Sequence, residues 1–184
     1  MDTLNTPTSR YDPVSRFFHW LVLGLLMIEF AIAWTMPDVH KDTKPEGLIA
    51  WHIFFGTLIL TVVILRILWR LTHSAPADVP MTLLQTMAAK AVHKLLYAIL
   101  LILPVLGWTN ASSRGWDVKL LGLLSLPALS PKGSGWGHEM GDVHQAVAIG
   151  LLVLVGLHVT AAIYHQWIMK DHLLQRMMPP GHGK

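Results

Sequence analysis

Four stretches of this chain are almost purely apolar, and each is bounded by charge, proline or glycine. A helix needs ~20 such residues to cross the ~30 Å hydrocarbon layer of a bilayer. The stretches at about 17–36, 48–69, 88–108 and 143–168 reach that length, so the pattern predicts four membrane-spanning helices. Asp12-Pro13 ahead of the first reads as an N-cap followed by proline in the first turn. Pro45 and Glu46 read as the first turn of the second span, and Pro104 as a kink in the third. The connector at 36–47 is short and polar, and 72–80 is a proline-rich turn. The longest connector, 110–141, contains VKLLGLLSLPAL. That segment is too short to span and is broken by Pro127, so it is expected to pack on the surface or at the membrane interface. A glycine-rich loop is expected at 131–137 and an extended tail at 175–184. The expected fold is all-α, an integral membrane four-helix bundle forming one domain over 1–184.

Composition agrees with that reading. Only 14% of the 184 residues are charged, against about a quarter in soluble domains, and mean hydropathy is +0.47. The chain has no cysteine, which excludes disulfides, thiolate metal sites, Cys-held iron–sulfur clusters and thioether-linked haem. The net charge of +3 is read as topology rather than as a nucleic-acid footprint. The first apolar run is long and lacks an A-x-A-like cleavage site, so it is read as a span rather than a signal peptide. With the N-terminus inside, nine basic residues face inward (Arg10, Arg16, Arg66, Arg70, Lys90, Lys94, Lys170, Arg176, Lys184) and five outward (Lys41, Lys44, Arg114, Lys119, Lys132). The positive-inside rule then places both termini in the cytoplasm. The five outer cations are offset by Asp38, Asp42, Glu46, Asp117, Glu139 and Asp142, so no cationic funnel is evident there.

Candidate chemistry rests on histidine. In the last span His144, His158, His165 and His172 are separated by 14, 7 and 7 residues, which on an α-helix is one stripe. Imidazoles on a spanning helix must be hidden from lipid. His144 lies near the outer end of this span, and His158 is ~21 Å further in at 1.5 Å per residue. His52 shares the outer level and His19 the inner side. Two histidines from two helices at each level is what two bis-imidazole haems stacked across a bilayer require. Gly56, Gly150 and Gly156 would leave room for macrocycles or allow close helix packing. His93, at the start of span three, has two readings, a structural hydrogen bond or a haem-propionate contact. Arg66 and Arg70, one turn apart, are read as snorkelling to lipid phosphates, with propionate pairing the alternative. Glu29 is an acidic residue well inside a span, either a proton carrier beside a redox centre or a neutral carboxyl bonded to a neighbouring helix. Trp20, Trp51, Trp69, Trp108 and Trp167 sit near span ends as an interfacial belt.

The sequence resembles the bacterial cytochrome b561 family of membrane dihaem cytochromes, which includes superoxide oxidase. The matching pieces are Ser15-Arg16-Phe17-Phe18-His19-Trp20, His52 to Gly56, Arg66-Ile67-Leu68-Trp69-Arg70, His93 to Tyr97 with Leu103 to Gly107, His144, Gly156-Leu157-His158, and Lys170-Asp171 through Arg176-Met177-Met178-Pro179. They run in the family's order over nearly the whole chain. The resemblance implies a four-helix bundle in the bacterial inner membrane, holding two non-covalent haem b groups with His19, His52, His144 and His158 as axial ligands to iron. It implies electron exchange with ubiquinone and, for some members, superoxide as electron donor; a redox protein is the other donor considered. His165 and Lys170 match positions near which a quinone site is expected. A membrane anchor and relay subunit for a larger dehydrogenase or hydrogenase stays open, as does a haem-free, histidine-lined metal transporter.

Overall fold

The computed structural model describes residues 10–40, 42–77 and 81–178. Four helices account for most of it: α1 (Pro13–Thr35), α2 (Leu48–Thr72), α3 (Leu83–Ser113) and α4 (Gly135–Tyr164). All four are long and apolar enough to cross a membrane, and large apolar side chains such as Met27, Leu65, Ile102 and Leu157 lie on their outer faces. The fold is an all-α transmembrane bundle.

The helix starts follow local chemistry. Asp12 caps α1, its Oδ1 accepting from the Ser15 amide at 2.9 Å, with Pro13 in the first turn. Thr82 and Gln85 form a reciprocal capping box that starts α3 five residues before its expected start at 88. The second helix begins at Leu48, after Gly47, so Pro45 and Glu46 precede it rather than forming its first turn. The fourth begins at Gly135, inside the stretch expected to be a loop. Its glycines serve packing. A Cβ on Gly137 would lie 2.6 Å from Ser130 Oγ and 2.9 Å from Ser113 Cβ, and one on Gly141 would lie 2.8 Å from Asn110 Nδ2. Only bare backbone lets the start of α4 press on the end of α3.

Helix α1 packs on α2, α2 on α3 and α3 on α4. Among the described residues, no Cα of α1 or α2 comes within 8 Å of a Cα of α4. The bundle is therefore splayed, with a slot between α4 and the α1–α2 pair. Its apolar core (Val22, Leu25, Leu26, Ile59, Val62, Val63, Leu100, Leu151) crosses the middle. The long connector carries a two-strand antiparallel hairpin, β1 (Lys119–Leu120) and β2 (Leu124–Ser125). It packs on the N-terminal half of α2, where the Leu121 amide donates to Thr57 Oγ1 at 3.3 Å.

The C-terminal end differs from the sequence expectation. A π-helical turn (His165–Met169) follows α4, Lys170 takes a left-handed conformation, and Leu173–Arg176 is a 3-10 turn rather than extended chain. His172 therefore lies beyond the helix and leaves the stripe begun by His144 and His158. The tail returns to α1: Trp20 Nε1 donates to the Met177 carbonyl at 2.9 Å and Arg16 Nη1 to the Met178 carbonyl at 2.8 Å. The Tyr11 amide bonds the Arg176 carbonyl at 3.2 Å, so the two described ends of the chain lie at the same end of the bundle. The remainder of the expected extended tail, like Lys41, His182 and Lys184, lies outside the described residues.

Candidate functional site

The slot is bridged by imidazoles at two levels. His52 of α2 and His144 of α4 have ring centroids 5.9 Å apart. His19 of α1 and His158 of α4 have centroids 6.2 Å apart. An imidazole nitrogen sits about 2 Å from a first-row metal ion, so two rings facing one ion have centroids about 6 Å apart. Among the described residues no cluster of three or more His, Cys, Asp or Glu could hold a metal ion. Two protein donors suffice when a macrocycle supplies the in-plane ligands, whereas a bare ion in a structural site takes about four.

The outer level opens into a cavity of about 550 Å³, lined by Glu29, His52, Gly56, Gly107, Arg114 and His144 among others. Both outer imidazoles have Nδ1 turned away from the partner ring's helix. His144 Nδ1 lies 2.9 Å from the Leu103 carbonyl, one residue before Pro104. His52 Nδ1 lies 3.0 Å from Glu29 Oε1, close enough for an ion pair but not aligned as a hydrogen bond, and no other acceptor meets it. Gly107 makes room for the His144 ring, since a Cβ there would stand 3.1 Å from its Cε1 and 3.2 Å from its Nδ1. At Gly56 the nearest atom to an added Cβ is Glu29 Oε1 at 3.6 Å. Nothing stands within 4 Å of a Cβ on Gly150 or Gly156. Paired imidazoles, a slot without backbone contact and a glycine-floored cavity fit a flat, non-covalently held haem. A smaller cavity of about 290 Å³, between Trp108 and Lys132, contains no histidine.

The inner level is more crowded. His93 of α3 joins it, with its ring centroid 5.3 Å from that of His158. Arg66 does not snorkel: its Nε donates to Tyr97 Oη at 2.8 Å and its Nη1 to the Ser15 carbonyl at 3.2 Å, tying α1, α2 and α3 together. Arg70 lies over the Tyr11 ring at 5.4 Å. Below this level, His165 is half-buried and its Nδ1 lies 2.5 Å from Asp171 Oδ2. Lys170 is exposed, and neither His165 nor Lys170 lines the large cavity. Asp171, matched in sequence but given no role there, is thus a partner of the proposed site. Its contact depends on the π turn, which no periodicity announces.

A splayed apolar bundle with imidazole pairs facing across its slot is the architecture of a membrane b-type cytochrome. The chain belongs to the prokaryotic cytochrome b561 family, whose model matches residues 10–180. It is 28% identical to cytochrome b561 homolog 2 of Escherichia coli, over 97% of this chain and 95% of that one. It is 28% identical to a probable superoxide oxidase CybB of Yersinia pestis, over 95% and 98%. It is 27% identical to a cytochrome b562 of Cereibacter sphaeroides, over 92% and 96%. The family implies b-type haem and electron transport.

Proposed function

We propose that the chain is a single-domain dihaem cytochrome carrying electrons across the bacterial inner membrane, from a donor at the outer face to ubiquinone at the inner face, with both termini cytoplasmic. The observation that carries this reading is the pair of imidazole bridges, at 5.9 and 6.2 Å between centroids. When bound, haem supplies one-electron chemistry. His52 and His144 would hold the outer group, His19 and His158 the inner one. His93 is nearer to His158 than two rings sharing one ion, so it serves the inner site as a neighbour; with Arg66 it stands where propionates would be met.

Superoxide is the proposed donor, a reading supported by the name of the Yersinia pestis relative. With two imidazoles given to each group, superoxide would pass one electron to the outer haem, when bound, and leave as dioxygen. Arg114 lines the outer cavity, with Nη1 on the His40 carbonyl at 3.1 Å and Nε on Asn110 Oδ1 at 3.1 Å. Burial lowers its pKa, yet a guanidinium stays charged at neutral pH and presents a cation to an anionic donor. On the inner side, His165 lies ~10.5 Å beyond His158 along the helix. With Asp171 at Nδ1, its Nε2 is the nitrogen that addresses a quinone carbonyl, and Lys170 connects the site to water.

Pyridine haemochrome analysis of the purified protein should give two haems per chain; one or none overturns the reading. With both haems loaded, His165→Leu and Lys170→Ala should slow haem oxidation by ubiquinone while leaving reduction by superoxide unchanged. Unchanged quinone kinetics in both variants rules this location out.

A further inference from the structure

We propose that Glu29 is a positioning residue for the outer haem: through His52 Nδ1 it fixes the orientation of that ligand and holds the potential of the outer haem below the value it would otherwise have. The proposal rests on the dihaem reading. Glu29 comes from α1, which contributes no ligand at the outer level. It reaches across to α2, where Oε1 stands 3.0 Å from His52 Nδ1. Both side chains are mostly buried, at 14% and 21% side-chain exposure. Neither Glu29 Oε2 nor His52 Nδ1 has a well-aligned hydrogen-bond partner. A carboxyl in a membrane-spanning helix with an unmatched oxygen is costly, and its position against the His52 imidazole gives it a use.

An acceptor oxygen 3.0 Å from Nδ1 favours the tautomer with its proton on that nitrogen, which leaves the lone pair of His52 on Nε2, the nitrogen available to iron. A small rotation of the ring or carboxyl aligns the contact, and an oxygen acceptor is present whether the carboxyl is charged or neutral. An acceptor on the far nitrogen makes an imidazole a stronger donor to its metal. Stronger donation favours the oxidised iron and lowers its potential. His144 meets only a backbone carbonyl at its Nδ1, so the two ligands of the outer haem are unequally supported.

Redox potentiometry and low-temperature electron paramagnetic resonance of the holoprotein test this, with the haem-to-protein ratio measured first. Glu29→Leu should raise the midpoint potential of one haem and shift its g values, leaving the other haem as in the wild type. Glu29→Gln keeps an acceptor and should restore the g values, with a potential between wild type and Glu29→Leu. Selective loss of one haem in Glu29→Leu, with both retained in Glu29→Gln, also supports the proposal. If both haems load in Glu29→Leu and both potentials match the wild type, the proposal is overturned. A shift of equal size in both haems overturns it too, since it reports a general change in the bundle. A wild-type ratio below two removes the dihaem reading and this inference with it, before any variant is compared.

Discussion

Gly107→Ala puts one methyl group against the outer ligand His144. The new Cβ would lie 3.1 Å from His144 Cε1 and 3.2 Å from Nδ1, so the ring must give by a few tenths of an ångström. The ring is not loose, because Nδ1 is held at 2.9 Å by the Leu103 carbonyl. A displacement of that size takes the bond past about 3.2 Å, the edge of good N–H···O geometry. Overpacking in a well-filled site costs about 1–3 kcal/mol. Each 1.4 kcal/mol is about tenfold in an equilibrium constant, so haem affinity at the outer site should fall by roughly 5- to 150-fold. The fold itself should not suffer, as alanine is the better helix former by about 1 kcal/mol. Gly24→Ala is the control, since a Cβ there meets nothing within 4 Å. The assay is haem content with the reduced-minus-oxidised spectrum of each variant, alongside thermal unfolding in detergent. Gly107→Ala should lose part of one haem signal while both variants keep wild-type helicity. A full, unshifted spectrum in Gly107→Ala, or an equal loss in Gly24→Ala, would refute the argument that this glycine makes room for the ligand.

Three further outcomes are expected. His52→Ala or His144→Ala should remove one haem signal and His19→Ala or His158→Ala the other; loss of the same haem from His52→Ala and His158→Ala would break the pairing. Asp12 is half-buried, and although burial works against its charge, hydrogen bonds from Ser15 and Trp69 hold its pKa at about 2 instead of 3.8. Its stabilising effect is therefore complete above pH 3.8 and lost as pH falls through 2. As a partly exposed cap it is worth about 1 kcal/mol, so Asp12→Asn should flatten that acid-side loss in a denaturation series, and parallel curves would exclude Asp12 as its source. Reporters fused after Lys184 and in the loop at Lys132 should fall on opposite sides of the membrane, and a cytoplasmic signal from Lys132 would invert the assignment of inner and outer sites.

The four spans were legible because length and hydropathy alone set what crosses a bilayer, and because the histidine levels follow from a constant rise per residue. His52 and His144 meet, as do His19 and His158, because depth was the only coordinate needed. His93 was harder. Its ring reaches His158 through the rotation of α3 about its axis, and apolar residues on all sides of that helix leave the rotation unmarked. Snorkelling is the default for a basic residue near a span end, and Arg66 departs from it because Tyr97 and the Ser15 carbonyl, from two other helices, turn it inward. The loop expected at 131–137 holds for 131–134, and its last three residues open α4 instead: Gly137 marks close helix contact, which composition does not distinguish from a turn. The π turn at His165 also has no periodic signature, and it is what removes His172 from the stripe and brings Asp171 to His165.

The independence of the two levels has a structural basis in the layer between them. Leu151 lies seven residues from both His144 and His158, on the same face of α4, and is fully buried. Val63, also fully buried, and Val22, Leu25, Leu26, Ile59, Val62 and Leu100 complete the layer. These side chains are all apolar, so they offer neither hydrogen bonds nor ionisable groups to link the outer imidazoles to the inner ones. Substitutions more than about 7–10 Å apart without shared partners act nearly additively. A change at Gly107, Glu29 or His52 should therefore be confined to the outer level and one at Arg66 or His93 to the inner, while on the dihaem proposal electrons, which need proximity rather than polar contacts, would still pass between them.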